Sequence, residues 1–519
     1  MSRLRTEMSV PFFREGELAQ RSIAMSKIKF GWSEVELVPK GAKVDLAGQF
    51  YERISDKVES VLTVTAWAVD NGEDAAIFCG CDLVSTSEHL LKEVRARMAV
   101  RPDVPADKVM VSAIHTHTAP GYEKRSDMFS GLSTIDILKK LEPDAEYVKL
   151  VSCNEGMFNG VEARDYIADR IAEAAIKAWD ARAEGVYAPA FGRAAVGQCR
   201  RTCYDDGSAK MWGDSSLTNF TALEAGNDSG IELIFTYTPD KKLTGVVANV
   251  ACPAQVLEHR DFMSSDYWGK VKMFLREKLG EDIFVLGLCS AAGDQCPRDM
   301  IRWVQPETPI NDPNISRENP AKRNADPSMF DVKGCTLVGR RIATEILWAL
   351  EDVTEYISEA AFEHRIQRLV LPLRRVTIAQ RDDAIKAVHN FIEENGKIVN
   401  YMDSARLHVH CGTIARYELQ QKRHTVDIEV HFLRLGNIAF ATNPYELFLD
   451  YGNKIRSGSR ASQTFLIQLC CGAWGYLPTK KAEEGGHYSA YISSGTVGCE
   501  GGDLLVRTSL QQINEMLEK

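Results

Sequence analysis

The sequence predicts an α/β fold, a large mixed sheet core covered by helices. Three observations carry this. Apolar, β-branched runs alternate with amphipathic runs of helical period along most of the chain. Several apolar runs end abruptly in Gly-, Pro- and Asn-rich polar sequence, as strands do on leaving a sheet. The composition, 45% hydrophobic and 26% charged, is that of a globular chain and excludes general disorder.

The elements follow in order. Residues 1–26 read as an N-terminal extension, and 27–519 as one domain with a candidate subdivision near 354–360. VESVLTVTAWAV (58–69), DAAIFCGCDLV (74–84) and KVMVSAI (108–114) are strand-like. SEHLLKEVRARM (87–98) places its apolar residues on one helical face. A helix is predicted near 164–182. Strands follow at 230–238, 243–251 and 283–288, and a helix at 266–279 joins the last two. Residues 301–333, rich in Pro, Asn and Asp, predict a long loop, either a lid or a homo-oligomer contact. A helix follows at 335–351. The last third carries helices near 379–394 and 446–456, and strands at VDIEVHFLRLG, NIAFAT and TFLIQL. No internal repeat is visible.

The net charge of −10, with no basic stripe, excludes nucleic acid as a partner. No run approaches the ~18 apolar residues of a membrane span, and the N-terminus has no signal-peptide h-region. The 13 cysteines are odd in number and scattered through strand-like runs. That suits reduced thiols in a cytoplasmic protein without a membrane anchor.

Chemistry-bearing residues sit where strands end. Cys81 leads into Asp82. Ile114 leads into His115-Thr-His117-Thr-Ala-Pro-Gly. Others run into Cys252-Pro, Gly293-Asp294-Gln295-Cys296-Pro, Asn443-Pro-Tyr-Glu446 and Cys471-Gly-Ala-Trp-Gly-Tyr476. In α/β proteins ligands bind beyond such strand ends, so one assembled small-molecule site is expected. His-x-His is the sharpest of these motifs. On extended chain, residues i and i+2 share a face, so both imidazoles can meet one cation, or one can ligate while the other moves a proton. His408-Val-His410 has the same spacing without a strand-to-loop switch and reads as structural. His364, His389, His424 and His431 read as ordinary core or surface histidines.

The other candidates each have a plainer reading. Asp294 either orients a histidine or makes a Gly-Asp turn. Cys296 is either an exposed nucleophile or a buried spectator thiol. Arg200 and Arg201 either clamp a substrate oxygen or form a solvated pair. Glu446 could be a helix N-terminal charge. Tyr476 and Tyr488 could be core aromatics.

These motifs together resemble the neutral ceramidases. IHTHTAPG (114–121) is similar to that family's His-Thr-His-Ser-Gly-Pro-Gly segment. CRR (199–201), AGDQCP (292–297), NPYELF (443–448) and GYLPT followed by HY (487–488) resemble its later motifs in the same order. The resemblance spans roughly residues 28–510 and implies a metal-dependent hydrolase. His115, Glu446 and Tyr476 would ligate one zinc per chain, with another divalent metal such as iron or manganese as the alternative. His117 and Tyr488 would line the site, Arg200 would hold substrate, and Cys296 would stand where ceramidases have their catalytic serine. There are two departures. Pro253 falls where the family has its second zinc histidine, so His259 or Glu258 is expected to replace it. Cys296 replaces the serine. The chain is also short for the family's C-terminal immunoglobulin-like domain and carries no secretion signal, which turns the expectation away from ceramide.

The resulting expectation is zinc-activated hydrolysis of an amide or related bond in a small polar or acylated metabolite. The cation would lower the pKa of a coordinated water from ~15.7 to about 7. Tyr488 and Arg200 would stabilise the oxyanion, and His117 or Asp294 would shuttle the proton. Arg201, Gln295 and Asp82 are expected to bind substrate. A glycoside hydrolase on the same scaffold is the first alternative, with Asp82, Asp266 and Asp294 as acids and Trp268, Trp303 and Trp474 stacking on sugars. A non-catalytic metabolite-binding protein is the second.

Overall fold

The computed structural model describes residues 25–49, 51–122, 133–148, 156–158, 160–302 and 331–518. The N-terminal extension, apart from its last two residues, lies outside this set, as do Trp303 and nearly all of the 301–333 loop.

The fold is mixed α/β, and its sheet core is divided into three. One construction occurs three times. Two strands and a third run antiparallel, a helix crosses over, and a fourth strand returns parallel to the third. In the first unit the strands are Lys29–Glu36, Thr63–Asp70, Ala75–Cys81 and Val109–Ala113, with the crossover helix Glu88–Met98. In the second they are Val186–Arg193, Gly230–Tyr237, Leu243–Val250 and Phe284–Cys289, with helix Asp266–Leu279. In the third they are Phe362–Pro372, Thr425–Leu435, Ile438–Thr442 and Gln463–Ile467, with helix Leu449–Gly458. Each unit then adds one long helix, Gly160–Asp180, Asp331–Glu351 or Cys499–Leu517, which packs beside its own crossover helix. This repeat is one of topology, and no sequence pattern announces it.

Strand alternation decides the layers. In the first strand, Ser33 Oγ donates to the Ala174 carbonyl of the covering helix at 2.6 Å. Its neighbour Trp32 points the other way, stacks on Phe284 of the second sheet at 5.9 Å, and donates its indole N–H to Thr236 at 2.9 Å. Trp67 and Phe78 meet Phe440 of the third sheet at 6.5 and 5.2 Å. The inner faces of all three sheets therefore share one aromatic core, and helices cover the outside. Each such aromatic buried contributes roughly 1.5–3 kcal/mol.

The strand ends are knitted across the units. Asn249 donates to the Leu466 carbonyl at 2.8 Å and accepts from the Leu466 N–H at 3.2 Å. The Gln468 N–H donates to Cys289 O at 3.0 Å, and the Cys471 N–H to Val111 O at 2.8 Å. These bonds bring the fourth strands of all three units, and the third strand of the second, to one place. No described helix is long and apolar enough to cross a membrane.

Candidate active site

The first unit supplies two histidines just beyond Val109–Ala113. His115 adopts φ +69°, a left-handed conformation rare for a side chain with a Cβ. That turn aims its Nδ1 at the Val84 carbonyl, 2.6 Å away. A carbonyl only accepts, so Nδ1 donates to it and Nε2 is the nitrogen turned to the site. His117 lies against Gly48, whose own φ is +97°. A Cβ there would stand 2.4 Å from the imidazole Cγ, so the ring's seat requires glycine.

The second unit fixes the protonation of His117. Arg200 donates to Gln255 Oε1 at 3.1 Å, which turns the Gln255 amide N–H₂ toward His117 Nε2 at 2.8 Å. His117 Nε2 is then the acceptor, and Nδ1–H faces the Glu258 carboxylate at 3.4 Å. Burial, with His115, Arg53 and Arg200 adding to it, holds the His117 pKa well below the ordinary histidine value, so the ring is neutral.

The third unit brings Glu446 and Tyr476, which are register partners in a short parallel pairing. Glu446 Oε2 stands 3.4 Å from His115 Nε2 and 4.0 Å from Arg200. Burial raises the Glu446 pKa, but His115, Arg200 and a hydrogen bond from Tyr476 outweigh it, and the net direction is down. Arg200 also donates to the Tyr476 hydroxyl at 3.4 Å and to Gly293 O at 3.0 Å. The Tyr476 and Tyr488 rings meet edge to face at 5.5 Å. Burial first, then Glu446 and Tyr488, push the Tyr476 pKa well above its usual value, so the hydroxyl keeps its proton.

His115 and His117 oppose their Nε2 atoms at 3.3 Å. Two nitrogens, or a nitrogen and an oxygen, bound to one tetrahedral zinc stand about 3.3–3.4 Å apart. Both the His115–His117 and His115–Glu446 separations match that edge. The third edge does not close. Among the described residues, the group of three His, Cys, Asp or Glu side chains whose donor atoms all lie within 4.8 Å of one another is Glu429, His431 and Cys471. The donors here instead form an open arc with His115 in the middle, and Gln255 already occupies the His117 lone pair. The residues that fit a cation are His115 and Glu446, with Tyr476 beside them.

No protein-family model matches the sequence, and no curated protein matches it. Solved structures do match. Neutral ceramidase from Pseudomonas aeruginosa superposes with a TM-score of 0.64 at 13% identity, covering 95% of this chain and 75% of that one. A ceramidase complexed with C2 superposes with the same score at 12% identity, covering 95% and 76%. The fold is that of the neutral ceramidases.

On this ceramidase fold, His115, His117, Arg200, Glu446, Tyr476 and Tyr488 come together, and the other candidates have surroundings of their own. Among the described residues neither ring nitrogen of His259 has a hydrogen-bond partner, burial pushes its pKa down to about 4, and its charged neighbours are Arg260, Asp331, Arg53 and Asp261. Its neighbour Glu258 is the residue that reaches His117. Arg201 is no solvated or substrate-facing cation. It pairs with Glu224 at 2.7 and 3.1 Å and donates to the carbonyls of Ala482, Gly486 and Tyr488. Asp82 accepts from the Thr63 N–H and hydroxyl, deep in the first sheet. Asp294 accepts from the Leu449 N–H and so caps the third crossover helix, and burial pushes its pKa up to about 6. Gln295 donates to Gly226 O. Cys296 is 0% exposed, and burial pushes its thiol up to about 12 against the pull of Arg200. It is a neutral thiol beside Arg200, not an exposed nucleophile.

Two contributors escaped the sequence reading. Gln255 is one. Arg53 is the other, donating to the backbone carbonyls of Ala47, His117, Glu258 and Arg260. It ties the loop carrying Gly48 to both histidine-bearing and glutamate-bearing segments. A lone arginine in a polar loop gives no sequence signal for this.

Proposed function

We propose that the chain is a metal-dependent hydrolase acting on an amide or related bond of a small polar or acylated metabolite. The observation that carries this reading is His115 Nε2, turned inward by the Val84 bond to Nδ1 and set at zinc-edge distance from Glu446, within a ceramidase fold. His115, Glu446 and the Tyr476 oxygen would hold the cation, with zinc first and iron or manganese second. When bound, it supplies Lewis-acid polarisation of the scissile carbonyl and activation of water.

The chain's own groups supply the rest. Arg200 stays charged beside the site, and the Tyr488 hydroxyl, edge to face with Tyr476, is a donor for an oxyanion. His117 is neutral and can take a proton at Nε2 once Gln255 releases it. Glu258, facing Nδ1–H, then stabilises the imidazolium, as a carboxylate does behind a catalytic histidine. Amide chemistry is favoured over glycoside hydrolysis because Asp82, Asp266 and Asp294 each accept backbone N–H bonds, and Trp268 is buried in the core. All described cysteines are free thiols, which suits the reducing cytoplasm.

The test is metal content by mass spectrometry, followed by product analysis on acylated amines and glycosides. Metal bound by the parent chain and lost in His115→Ala and Glu446→Ala, with release of a free amine, supports the reading. A folded chain that never takes up metal sinks it, and a new reducing end in place of an amine transfers the site to glycosides.

A further inference from the structure

The three donors that do close on one another include no residue of this cluster. Glu429 and His431 share one face of Thr425–Leu435, and Cys471 follows the end of Gln463–Ile467. All three are buried, His431 completely. His431 Nε2 stands 3.0 Å from Glu429 Oε1 and 3.7 Å from Cys471 Sγ. We infer that Glu429, His431 and Cys471 form a second, structural metal site for a borderline-soft divalent cation such as zinc, with the Cys470 thiol beside it.

Three features support this. The first is a proton relay. His364 Nδ1 lies 2.9 Å from the Ala75 carbonyl, so it must donate there, and His364 Nε2 is the acceptor for His431 Nδ1–H at 2.8 Å. His431 Nε2 is thereby the atom offered to Cys471 and Glu429. A metal-ligating histidine has this arrangement, its other N–H held by an outer partner.

The second is spacing. Around a tetrahedral zinc, a thiolate sulfur and an imidazole nitrogen stand about 3.6 Å apart, and two thiolate sulfurs about 3.8 Å. The observed separations are 3.7 Å for Cys471–His431 and 3.7 Å for Cys470–Cys471. Both oxygens of the Glu429 carboxylate are held in place, Oε1 by Arg95 at 2.7 Å and Oε2 by Arg95 at 3.0 Å and Arg368 at 3.2 Å.

The third is backbone. Leu469 and Cys471 take φ +50° and +60°, unfavourable for non-glycine residues and maintained only where surroundings impose them. Bonds from Cys471 N–H to Val111 O, and from Ala113 N–H and the Thr86 hydroxyl to Leu469 O, hold this conformation and turn both sulfurs inward. Thiol, imidazole and carboxylate together in a closed site select zinc over magnesium or calcium. The same segment continues to Tyr476, so a cation here would also brace the wall of the candidate active site.

Thiolate ligation gives a readout that the His115 cluster, which has no sulfur donor in its set, cannot produce. The full chain, stripped of metal by a chelator, is titrated with Co²⁺. The expected result is a near-ultraviolet charge-transfer band from thiolate sulfur to Co²⁺, abolished in Cys471→Ser and retained in Glu446→Ala. Absence of the band in the parent chain, or its survival in Cys471→Ser, overturns the inference. Should Cys471→Ser fail to fold, X-ray absorption on the zinc-loaded parent decides: a sulfur shell at about 2.3 Å supports the site, and a shell of nitrogen and oxygen alone refutes it. Loss of hydrolysis in Glu446→Ala with the band intact keeps the two metal assignments separate.

Discussion

Removing the carboxylate of Glu224 tests whether Arg201 is a structural residue. The pair is buried on both sides, with side chains 0% and 3% exposed. Arg201 makes two bonds to Glu224, at 2.7 and 3.1 Å, and reaches three backbone carbonyls of the 482–488 segment that carries Tyr488. Glu224→Ala leaves a guanidinium charge in a site closed to water, with only neutral acceptors. Breaking a buried pair from one side costs about 3–5 kcal/mol. The double replacement Arg201→Met with Glu224→Leu removes both charges and should recover most of that loss. Urea unfolding followed by circular dichroism measures both differences. If Glu224→Ala shifts stability by less than about 1 kcal/mol, the carboxylate does not hold Arg201. The guanidinium would then be free to meet substrate, and the structural assignment would be wrong.

Other expectations can be checked alongside. Gly48→Ala puts a Cβ against the His117 ring at a position of positive φ. Displacing the ring by about 1 Å should lower hydrolysis by roughly 100-fold, with a Tm change of only a few degrees. Asp294 has a folded pKa of about 6 against an ordinary 3.8. The folded state therefore holds the proton longer than the unfolded one, and stability falls as pH rises from about 4 to 6. Asp294→Asn removes that fall, so its advantage over the parent should grow across this window, by up to about 3 kcal/mol, in unfolding measured at several pH values. The Cys296 thiol, pushed up to about 12 and fully buried, should resist iodoacetamide at pH 8 in the native chain and react only after denaturation, as read by peptide mass spectrometry.

Hydrophobic periodicity located the strands buried on both faces, because those runs are continuously apolar. It missed Lys29–Glu36, Val186–Arg193 and Phe362–Pro372. All three are the first strand of a unit, set toward the sheet edge, where exposed and charged residues such as Lys29, Arg193 and Arg368 interrupt the pattern. Pro189 weakens the signal further in the second of them. The helix over Tyr401–Gln420 was also missed, since its His408-Val-His410 stretch has no clear apolar stripe.

At the site, strand-end chemistry and motif order were legible, because they depend on residue type and sequence position. Single-residue choices were not. Arg200 and Arg201 are adjacent and point to opposite sides, one to the histidines and one to Glu224. Glu258 and His259 lie in an irregular turn without a period, so nothing local decides which of them turns inward. Glu446 sits in a short pairing with Tyr476, three residues before the helix begins at Leu449, and only that long-range pairing sets its direction.

The threefold construction changes what a shared centre can hold. A ring of three identical subunits must present the same residue three times around its axis. Here three like-built units are joined in one polypeptide, and each is free to differ. The first gives two imidazoles, the second an amide with a carboxylate and a guanidinium, and the third a carboxylate with a phenol. Such a mixed set is the kind that polarises a bond from one side while accepting a proton on the other. Covalent linkage has broken the chemical equivalence while leaving the scaffold's geometry repeated.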